Sequence, residues 1–236
     1  MDIGRYYKLE NATLSFTREQ ASSFAKFVAG DFNPIHDVDA KKFCVPGDLL
    51  FAVSIATFGV SQNMRFSFES MVSDKTMINV PLEYDGKIDL KNQNDKAIMS
   101  IECSGDSTKD KRFITSLIEK YVQFSGKTFP DILMDLMKQH KVMINPARPL
   151  IIYRTMAVHI DDFPMGELSL EFAGASLSAE GKKGDVKLEF DLFVDGKKIG
   201  HGIKSMVIAG LRPYDAVAAD KIIADYNQTK QAALSS

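Results

Sequence analysis

Residues 48–62, DLLFAVSIATFGVSQ, are apolar on almost every side when they are drawn as a helix. A helix at the surface of a domain carries a polar face, so a helix of this composition belongs in the middle of a domain. Its one charged residue, Asp48, stands at the start, where a carboxylate favours the positive end of the helix dipole. The segment therefore predicts a central helix around which a domain is built.

The spacing of the apolar residues changes directly after this helix. Met64, Phe66 and Phe68 alternate with polar residues, and a second alternating run surrounds Ile101. Between them, the segment TMINVPLEY predicts a weaker strand, in which Pro81 favours an edge or a bulge. The first predicted unit is thus a central helix followed by antiparallel strands.

The same order occurs a second time along the chain. A helical stripe ends near Gly126, residues 129–143 predict an apolar helix, and alternating segments follow that include a hairpin turn at Asp195-Gly196. A closing helix is predicted near the end. Because no Gly/Ser/Pro-rich linker separates the two copies, we expect an α+β fold in which tandem units share one sheet.

Composition limits the classes of function. The chain has 236 residues, 45% of them hydrophobic and 25% charged, and a net charge of -2, which is typical of a soluble globular protein. Lysine and arginine are spread along the chain without a basic stripe, so no nucleic-acid partner is expected. Neither a signal peptide nor an apolar run of membrane-spanning length is present, and a cytoplasmic location without membrane attachment is expected.

Several polar motifs are better explained by structure than by catalysis. The segment SGKT at 125–128 lacks the first glycine of a phosphate-binding loop. His140, His159 and His201 lie on separate predicted elements without an acid at metal-ligand spacing, so no metal site is expected. Cys44 has no cationic neighbour to activate it and is interpreted as a reduced, buried thiol.

The segment GDFNPIH, residues 30–36, follows a predicted helix that begins at a capping box and ends at Gly30. Asp31, Asn33 and His36 form either a polar turn or an acid–base pair. Pro34 favours a first helical turn, which predicts a short helix over 34–43. Because the motif lies between two helices and just before the buried one, whose free N–H groups can hold an oxyanion, the acid–base pair gains support.

AGDFNPIHDVDAKKF at 29–43, followed by VPGDLLFA at 45–52, resembles the hydratase motif of the MaoC-like, R-specific enoyl-CoA hydratases and dehydratases. Members of that family have the hotdog fold, a long helix wrapped by a curved antiparallel sheet, and some carry two hotdogs in one chain. The resemblance implies a double hotdog here, with the motif-bearing unit at 1–125 and a unit without the motif at 126–236.

The resemblance also implies roles for particular residues. Asp31 and His36 would activate the water that adds to a trans-2-enoyl thioester of CoA or acyl carrier protein, giving the R-3-hydroxyacyl thioester, or would remove it in reverse. Asn33 would orient the turn, and the Gly47 N–H would bind the thioester carbonyl. No metal or other cofactor is implied. Two departures from the motif concern the substrate side: ten residues separate His36 from Gly47, and Pro46 has no N–H.

Two other functions stay open from the sequence alone. One is a non-catalytic protein that binds acyl thioesters and has lost productive geometry. The other is a hotdog thioesterase in which Asp48 acts as base or nucleophile in place of the pair. Pairing of two chains into a homodimer is also left open.

Overall fold

A computed structural model describes residues 1–147 and 149–235 as a mixed α+β fold built on a large antiparallel sheet. In the described part of the chain this sheet has ten strands, and a separate two-stranded sheet accompanies it. The strands of the large sheet are β1 (Lys8–Glu10), β2 (Thr13–Ser15), β3 (Val60–Phe68), β4 (Ile78–Asn79), β5 (Lys87–Asn92), β6 (Ala97–Thr108), β8 (Ile151–Ile160), β9 (Leu168–Glu180), β10 (Lys183–Val194) and β11 (Lys197–Ala209); the small sheet pairs β7 (Val142–Met143) with β12 (Arg212–Pro213).

The helices are α1 (Arg18–Phe24), α2 (Gly47–Phe58), α3 (Lys111–Gly126), α4 (Leu133–Gln139) and α5 (Ala216–Leu234). There are also short π-helical turns at Ala25–Ala29 and Thr128–Ile132, and 3-10 turns at Ile3–Tyr6 and Pro34–His36. The capping box of Thr17 and Gln20 starts α1, as the sequence predicts. The helical path then ends at Gly30, whose φ of 72° is in the left-handed region that glycine favours.

The predicted helix over 34–43 is wrong beyond its first turn. Pro34–His36 forms a 3-10 turn, and Asp37 already has an extended backbone. The chain doubles back instead, because the Cys44 N–H donates to the carbonyl of Ile35 over 3.0 Å. This return brings the segment after the motif against the motif itself.

The strands of the large sheet follow the order β1-β2-β4-β5-β6-β3-β8-β11-β10-β9. Strand β3 pairs with β8, with Asn63 opposite His159 and Ser67 opposite Thr155, so the first six strands and the last four form one sheet. The hairpin predicted at Asp195-Gly196 joins β10 to β11. The large antiparallel sheet and the helices agree with the predicted α+β class.

Helix α2 is central, as its composition predicts. All its residues from Asp48 to Ile55 are buried, in a hydrophobic cluster that also contains one face of the large sheet and the inner face of α3. A second, smaller cluster lies beneath α4. The division of the chain at residue 125 stays a prediction. None of the described helices is both long and apolar enough to span a lipid bilayer.

Candidate functional site

Asp31 begins the turn that carries the predicted acid–base pair. Its N–H donates to the carbonyl of Ala25 over 2.8 Å, which fixes its backbone to the end of the preceding helical turn. Its Oδ1 accepts the Asn33 N–H at 2.9 Å. The second carboxylate oxygen, Oδ2, lies 3.6 Å from Nε2 of His36. The structure therefore brings the two predicted residues together.

The hydrogen bond at the far side of His36 decides its tautomer. Nδ1 lies 2.6 Å from the carbonyl oxygen of Cys44. A carbonyl oxygen can only accept, so Nδ1 carries the proton, and in the neutral ring Nε2 has a free lone pair. That lone pair faces Asp31 across a gap longer than a direct hydrogen bond, which suits a pair that exchanges protons with a third molecule.

Asn33 holds the turn between these two residues. Its side-chain oxygen accepts the Ile35 N–H at 3.2 Å, and its carbonyl accepts the His36 N–H at 3.0 Å. It is the N-cap of the 3-10 turn, and Pro34 takes the first position, where no N–H is needed. Asn33 therefore orients Asp31 and His36.

Cys44 contributes its backbone to the site. Its thiol donates to the carbonyl of Val45 at 3.3 Å, and burial raises the pKa of the thiol to about 11. The thiol is therefore protonated near neutral pH, which agrees with the interpretation of Cys44 as unreactive, although the residue is half-buried and not fully buried as predicted. The short segment after the motif thus positions a carbonyl for His36.

The start of α2 presents an open backbone N–H. Pro46 is the N-cap, and its carbonyl accepts the N–H groups of Leu49 and Leu50. The Gly47 N–H has no acceptor among the residues that the structure describes. Because the first helical N–H belongs to Gly47, the missing N–H of Pro46 does not remove it. The Tyr153 ring packs closely on Gly47, where a Cβ would lie 2.7 Å from Cδ2 of that ring.

Asp48 belongs to a buried polar cluster that joins four elements. Its Oδ2 accepts from Ser125 Oγ of α3 at 2.5 Å and from the Tyr153 hydroxyl of β8 at 3.3 Å. Lys204 of β11 places its Nζ 3.7 Å from Oδ1 of Asp48 and donates to Ser125 Oγ. We call Asp48, Ser125, Tyr153 and Lys204 the buried cluster.

A cleft of about 550 Å³ has both Asp31 and Asp48 in its lining, together with Glu69 and Asp225. The predicted site residues all line this one cleft: Asp31, Asn33, His36, Gly47 and Asp48. Most of its remaining wall is apolar. That wall includes Phe68, Phe129, Leu133, Ile144, Ile152 and Met206.

The C-terminal helix also reaches the site, which the sequence does not predict. The Tyr226 hydroxyl of α5 accepts the Phe32 N–H and donates to the Gly30 carbonyl, both at 3.2 Å. These two groups flank Asp31 in the chain. Burial raises the pKa of Tyr226 to about 12, so its hydroxyl stays protonated near neutral pH.

Lys204 and Ser125 are also absent from the sequence-based prediction. One signal was available for the lysine: along β11 the buried residues Gly202, Met206 and Ile208 alternate with less buried ones, and Lys204 shares their inward phase. A charged residue at an inward position of a strand indicates a buried partner. Ser125 gives no such signal, because a serine at a helix end is common. Within residues 1–147 and 149–235, no group of three or more His, Cys, Asp or Glu side chains is arranged to hold a metal ion.

Comparison with known proteins gives a family and a fold. The family described as protein of unknown function (DUF3581) matches residues 1–217. A conserved protein of unknown function with a hotdog fold from Alicyclobacillus acidocaldarius has a TM-score of 0.50 and 8% identity, over 91% of this chain and 99% of that one. This likeness shows the fold, and it supports the hotdog expectation.

Two further solved structures are similar at lower scores. The acyl-CoA thioesterase II TesB2 from Mycobacterium marinum has a TM-score of 0.46 and 11% identity, over 92% of this chain and 99% of that one. A MaoC-like dehydratase has a TM-score of 0.44 and 10% identity, over 87% and 98%. A search of curated proteins finds no match.

Proposed function

Since this chain belongs to the family described as protein of unknown function (DUF3581), we propose its activity from the cleft: it is an acyl-thioester hydratase or dehydratase of the MaoC-like type. The observation that carries the proposal is the geometry of Asp31 and His36. The bond from Nδ1 to the Cys44 carbonyl leaves Nε2 as a base, and Nε2 faces a carboxylate across 3.6 Å in an apolar cavity.

The pair provides both proton transfers that hydration needs. Nε2 of His36 takes a proton from water as the water oxygen bonds to the β carbon of a trans-2-enoyl thioester. The acid form of Asp31 gives a proton to the α carbon. Transfer of the first proton from the imidazolium to Asp31 then restores the pair, and the net change is addition of water to give the R-3-hydroxyacyl thioester. Dehydration reverses each step.

The thioester carbonyl needs a hydrogen-bond donor as charge develops on it. In the proposed complex its oxygen accepts the open Gly47 N–H at the start of α2. The positive end of the helix dipole favours negative charge at that point, and a donor fixed before the reaction costs no reorganisation during it. The thioester itself activates the β carbon, so the proposed chemistry needs no bound redox cofactor.

The apolar wall suits the acyl chain of the substrate. Phe129, Leu133 and Ile144 are among the apolar residues that line the cleft, and an aliphatic chain packed on them would lose contact with water. The carrier is either CoA or acyl carrier protein. We further propose that the single sheet represents a double hotdog, with the first unit supplying the pair and the second completing the cleft in a cytoplasmic enzyme.

A thioesterase that uses Asp48 is the second candidate, because Asp48 lines the same cleft. Its Oδ2, however, accepts hydrogen bonds from Ser125 and Tyr153, and its Oδ1, which has no hydrogen bond from a described residue, lies 3.7 Å from the Lys204 ammonium. The side chain is 4% exposed. A base or nucleophile must reach the thioester carbon, and these contacts would first have to break. Binding without catalysis is the third candidate.

Crotonyl-CoA distinguishes the three. Loss of the absorbance of the conjugated thioester reports hydration, and release of free thiol reports hydrolysis. The variants are Asp31→Asn, His36→Ala and Asp48→Asn, with exposed Asp39→Asn and His140→Ala as matched controls. We expect hydration without thiol release, lowered about 10²- to 10⁴-fold by the first two changes and unaffected by the controls.

Binding of unreactive butyryl-CoA shows whether each variant still forms the cleft. Thiol release that depends on Asp48 would establish the thioesterase instead. Binding of butyryl-CoA without either signal would leave a binding protein, and absence of both turnover and binding would contradict an acyl-thioester function altogether.

A further inference from the structure

A buried lysine supports the start of α2. Lys204 is 1% exposed, and its ammonium group lies 3.4 Å from the centroid of the Tyr153 ring as well as 3.7 Å from Oδ1 of Asp48. Lysine side chains are almost never fully buried unless they are paired, and Asp48 is the charge that pairs this one. The Ser125 hydroxyl bridges them, since it accepts from Lys204 and donates to Asp48.

The buried cluster surrounds the group proposed to hold the thioester oxygen. Asp48 follows Gly47 in the chain, and the Tyr153 ring packs against Gly47 itself. Lys204 contacts both Asp48 and Tyr153. The position of the Gly47 N–H therefore depends on two side chains that one lysine holds in place.

An uncompensated carboxylate at Asp48 would oppose stabilisation of an oxyanion. Negative charge on the thioester oxygen is favoured by the positive end of the α2 dipole. Asp48 lies at the same helix end, where its charge would weaken that field and repel the enolate, most strongly in a site shielded from water. The ammonium of Lys204 cancels this charge, so the pair is neutral as a unit.

We propose that Lys204 is a positioning residue for the oxyanion site, which neutralises Asp48 and, through Ser125 and Tyr153, holds the start of α2 in place. This role rests on the hydration reaction proposed above, and it concerns the same cleft. The proposal also gives Asp48 a structural and electrostatic role in place of that of a nucleophile. Lys204 does not touch the substrate, and its influence passes through Asp48 and Tyr153.

The buried cluster also implies an upper pH limit for oxyanion binding. Burial lowers the pKa of Lys204 to about 8, although the negative charges of Asp48 and Asp31 act to raise this pKa. The other ionisable groups facing the amine are Tyr121 of α3 and Tyr153 of β8, and burial raises the pKa of both well above the ordinary value. The tyrosines stay neutral near pH 8, so loss of the lysine proton is what leaves Asp48 uncompensated.

Acetoacetyl-CoA tests this role without turnover, because its enolate absorbs in the near ultraviolet and its keto form does not. The enolate fraction of the bound ligand is compared with that of the free ligand at the same pH, from below to above pH 8. The variants are Lys204→Met, Asp48→Asn and the double change. Lys198→Met is the matched control, since Lys198 lies on the same strand and pairs with Asp191 at the surface.

We expect wild type to favour the bound enolate and to lose this preference above pH 8. Lys204→Met should lower the preference at least about tenfold, and the double variant should regain most of it and lose the pH limit. Lys198→Met should behave as wild type. Circular dichroism and binding of butyryl-CoA verify that each variant is folded with an intact cleft.

Three results would overturn the role of Lys204. The first is that wild type binds acetoacetyl-CoA only in the keto form. The second is that the folded Lys204→Met variant has an unchanged enolate fraction. The third is that the folded double variant does not regain the enolate preference of wild type. If Lys204→Met does not fold, Ser125→Ala replaces it. This change removes the hydroxyl that bonds Lys204, Asp48 and Tyr153 but keeps both charges, and it must lower the enolate fraction. Intact enolate binding without hydration of crotonyl-CoA would contradict the proposed function and leave this role standing.

Discussion

Two of the aspartates that line the cleft, Asp31 and Asp48, differ in their surroundings. The side chain of Asp31 is 23% exposed, and its Oδ2 lies 3.6 Å from Nε2 of His36. The side chain of Asp48 is 4% exposed and is bound by two hydroxyl groups and an ammonium group. The difference separates an acid that can exchange protons with a ligand from an acid that is committed to the protein.

The contrast also fits the proposed function, in which both aspartates lie beside one substrate. Two free carboxylates in an apolar cavity would repel an enolate and each other. Pairing with Lys204 compensates the charge of Asp48, and Asp31 lies beside the imidazole of His36. Changes at either aspartate should therefore have effects of different kinds, on rate at Asp31 and on stability and oxyanion binding at Asp48.

The largest effect is expected from His36→Ala. Removing the base should lower kcat for crotonyl-CoA by about 10²- to 10⁴-fold, because general acid–base catalysis contributes a factor of this size. The KM should change much less, since the acyl wall remains. Steady-state kinetics measures both, and a tenfold rise in KM at constant kcat would indicate that His36 binds substrate without transferring protons.

Lys204→Met should have the largest effect on stability. Breaking a buried ion pair leaves an uncompensated charge and costs roughly 3–5 kcal/mol in free energy of unfolding. Urea unfolding measures it. The double change with Asp48→Asn should restore most of the loss, and Lys198→Met, which breaks an exposed pair, should cost less than about 1 kcal/mol. A double variant as unstable as Lys204→Met would contradict the pairing.

A smaller effect is expected from Tyr226→Phe. The change removes the hydroxyl that bonds the backbone on both sides of Asp31, and each such bond contributes about 1 kcal/mol. We expect kcat to fall up to about tenfold, as the carboxylate loses its fixed position. Tyr84→Phe, which removes one exposed hydrogen bond, is the control and should leave kcat unchanged. Equal effects of the two changes would show that Tyr226 does not position Asp31.

The smallest effect is expected from Cys44→Ala. The pair uses the carbonyl of this residue and not its thiol, so kcat should stay within about threefold of wild type. The same measurement in the presence of a thiol-alkylating reagent should give little change, because the raised pKa keeps the thiol protonated. A loss of activity comparable to that of His36→Ala would mean that the thiol takes part.

Local patterns in the sequence predict much of this architecture. The composition of residues 48–62 predicts the central helix, the alternation around Phe66 predicts β3, and Asp195-Gly196 predicts the hairpin. The order of helix and strands, without a linker, predicts a shared sheet. The central helix, β3 and the hairpin each depend on residues close together in the chain.

Long-range contacts set the limit of such prediction. Ser125 and Lys204 are 79 residues apart, and Tyr226 lies 194 residues beyond Phe32. No periodicity links positions so distant, although the inward phase of Lys204 on its strand indicates that some partner exists. The expected helix over 34–43 failed for the same reason, since a hydrogen bond from Cys44 to Ile35 outweighs the local helical preference.

The product of crotonyl-CoA in deuterated water tests the central claim most directly. Wild type should form R-3-hydroxybutyryl-CoA with one deuteron added at the α carbon and with the thioester intact, as nuclear magnetic resonance detects. Asp31→Asn should form it at least about 10²-fold more slowly, while Asp39→Asn keeps the wild-type rate. Formation of free CoA and crotonate, or hydration at an equal rate in Asp31→Asn, would contradict the account.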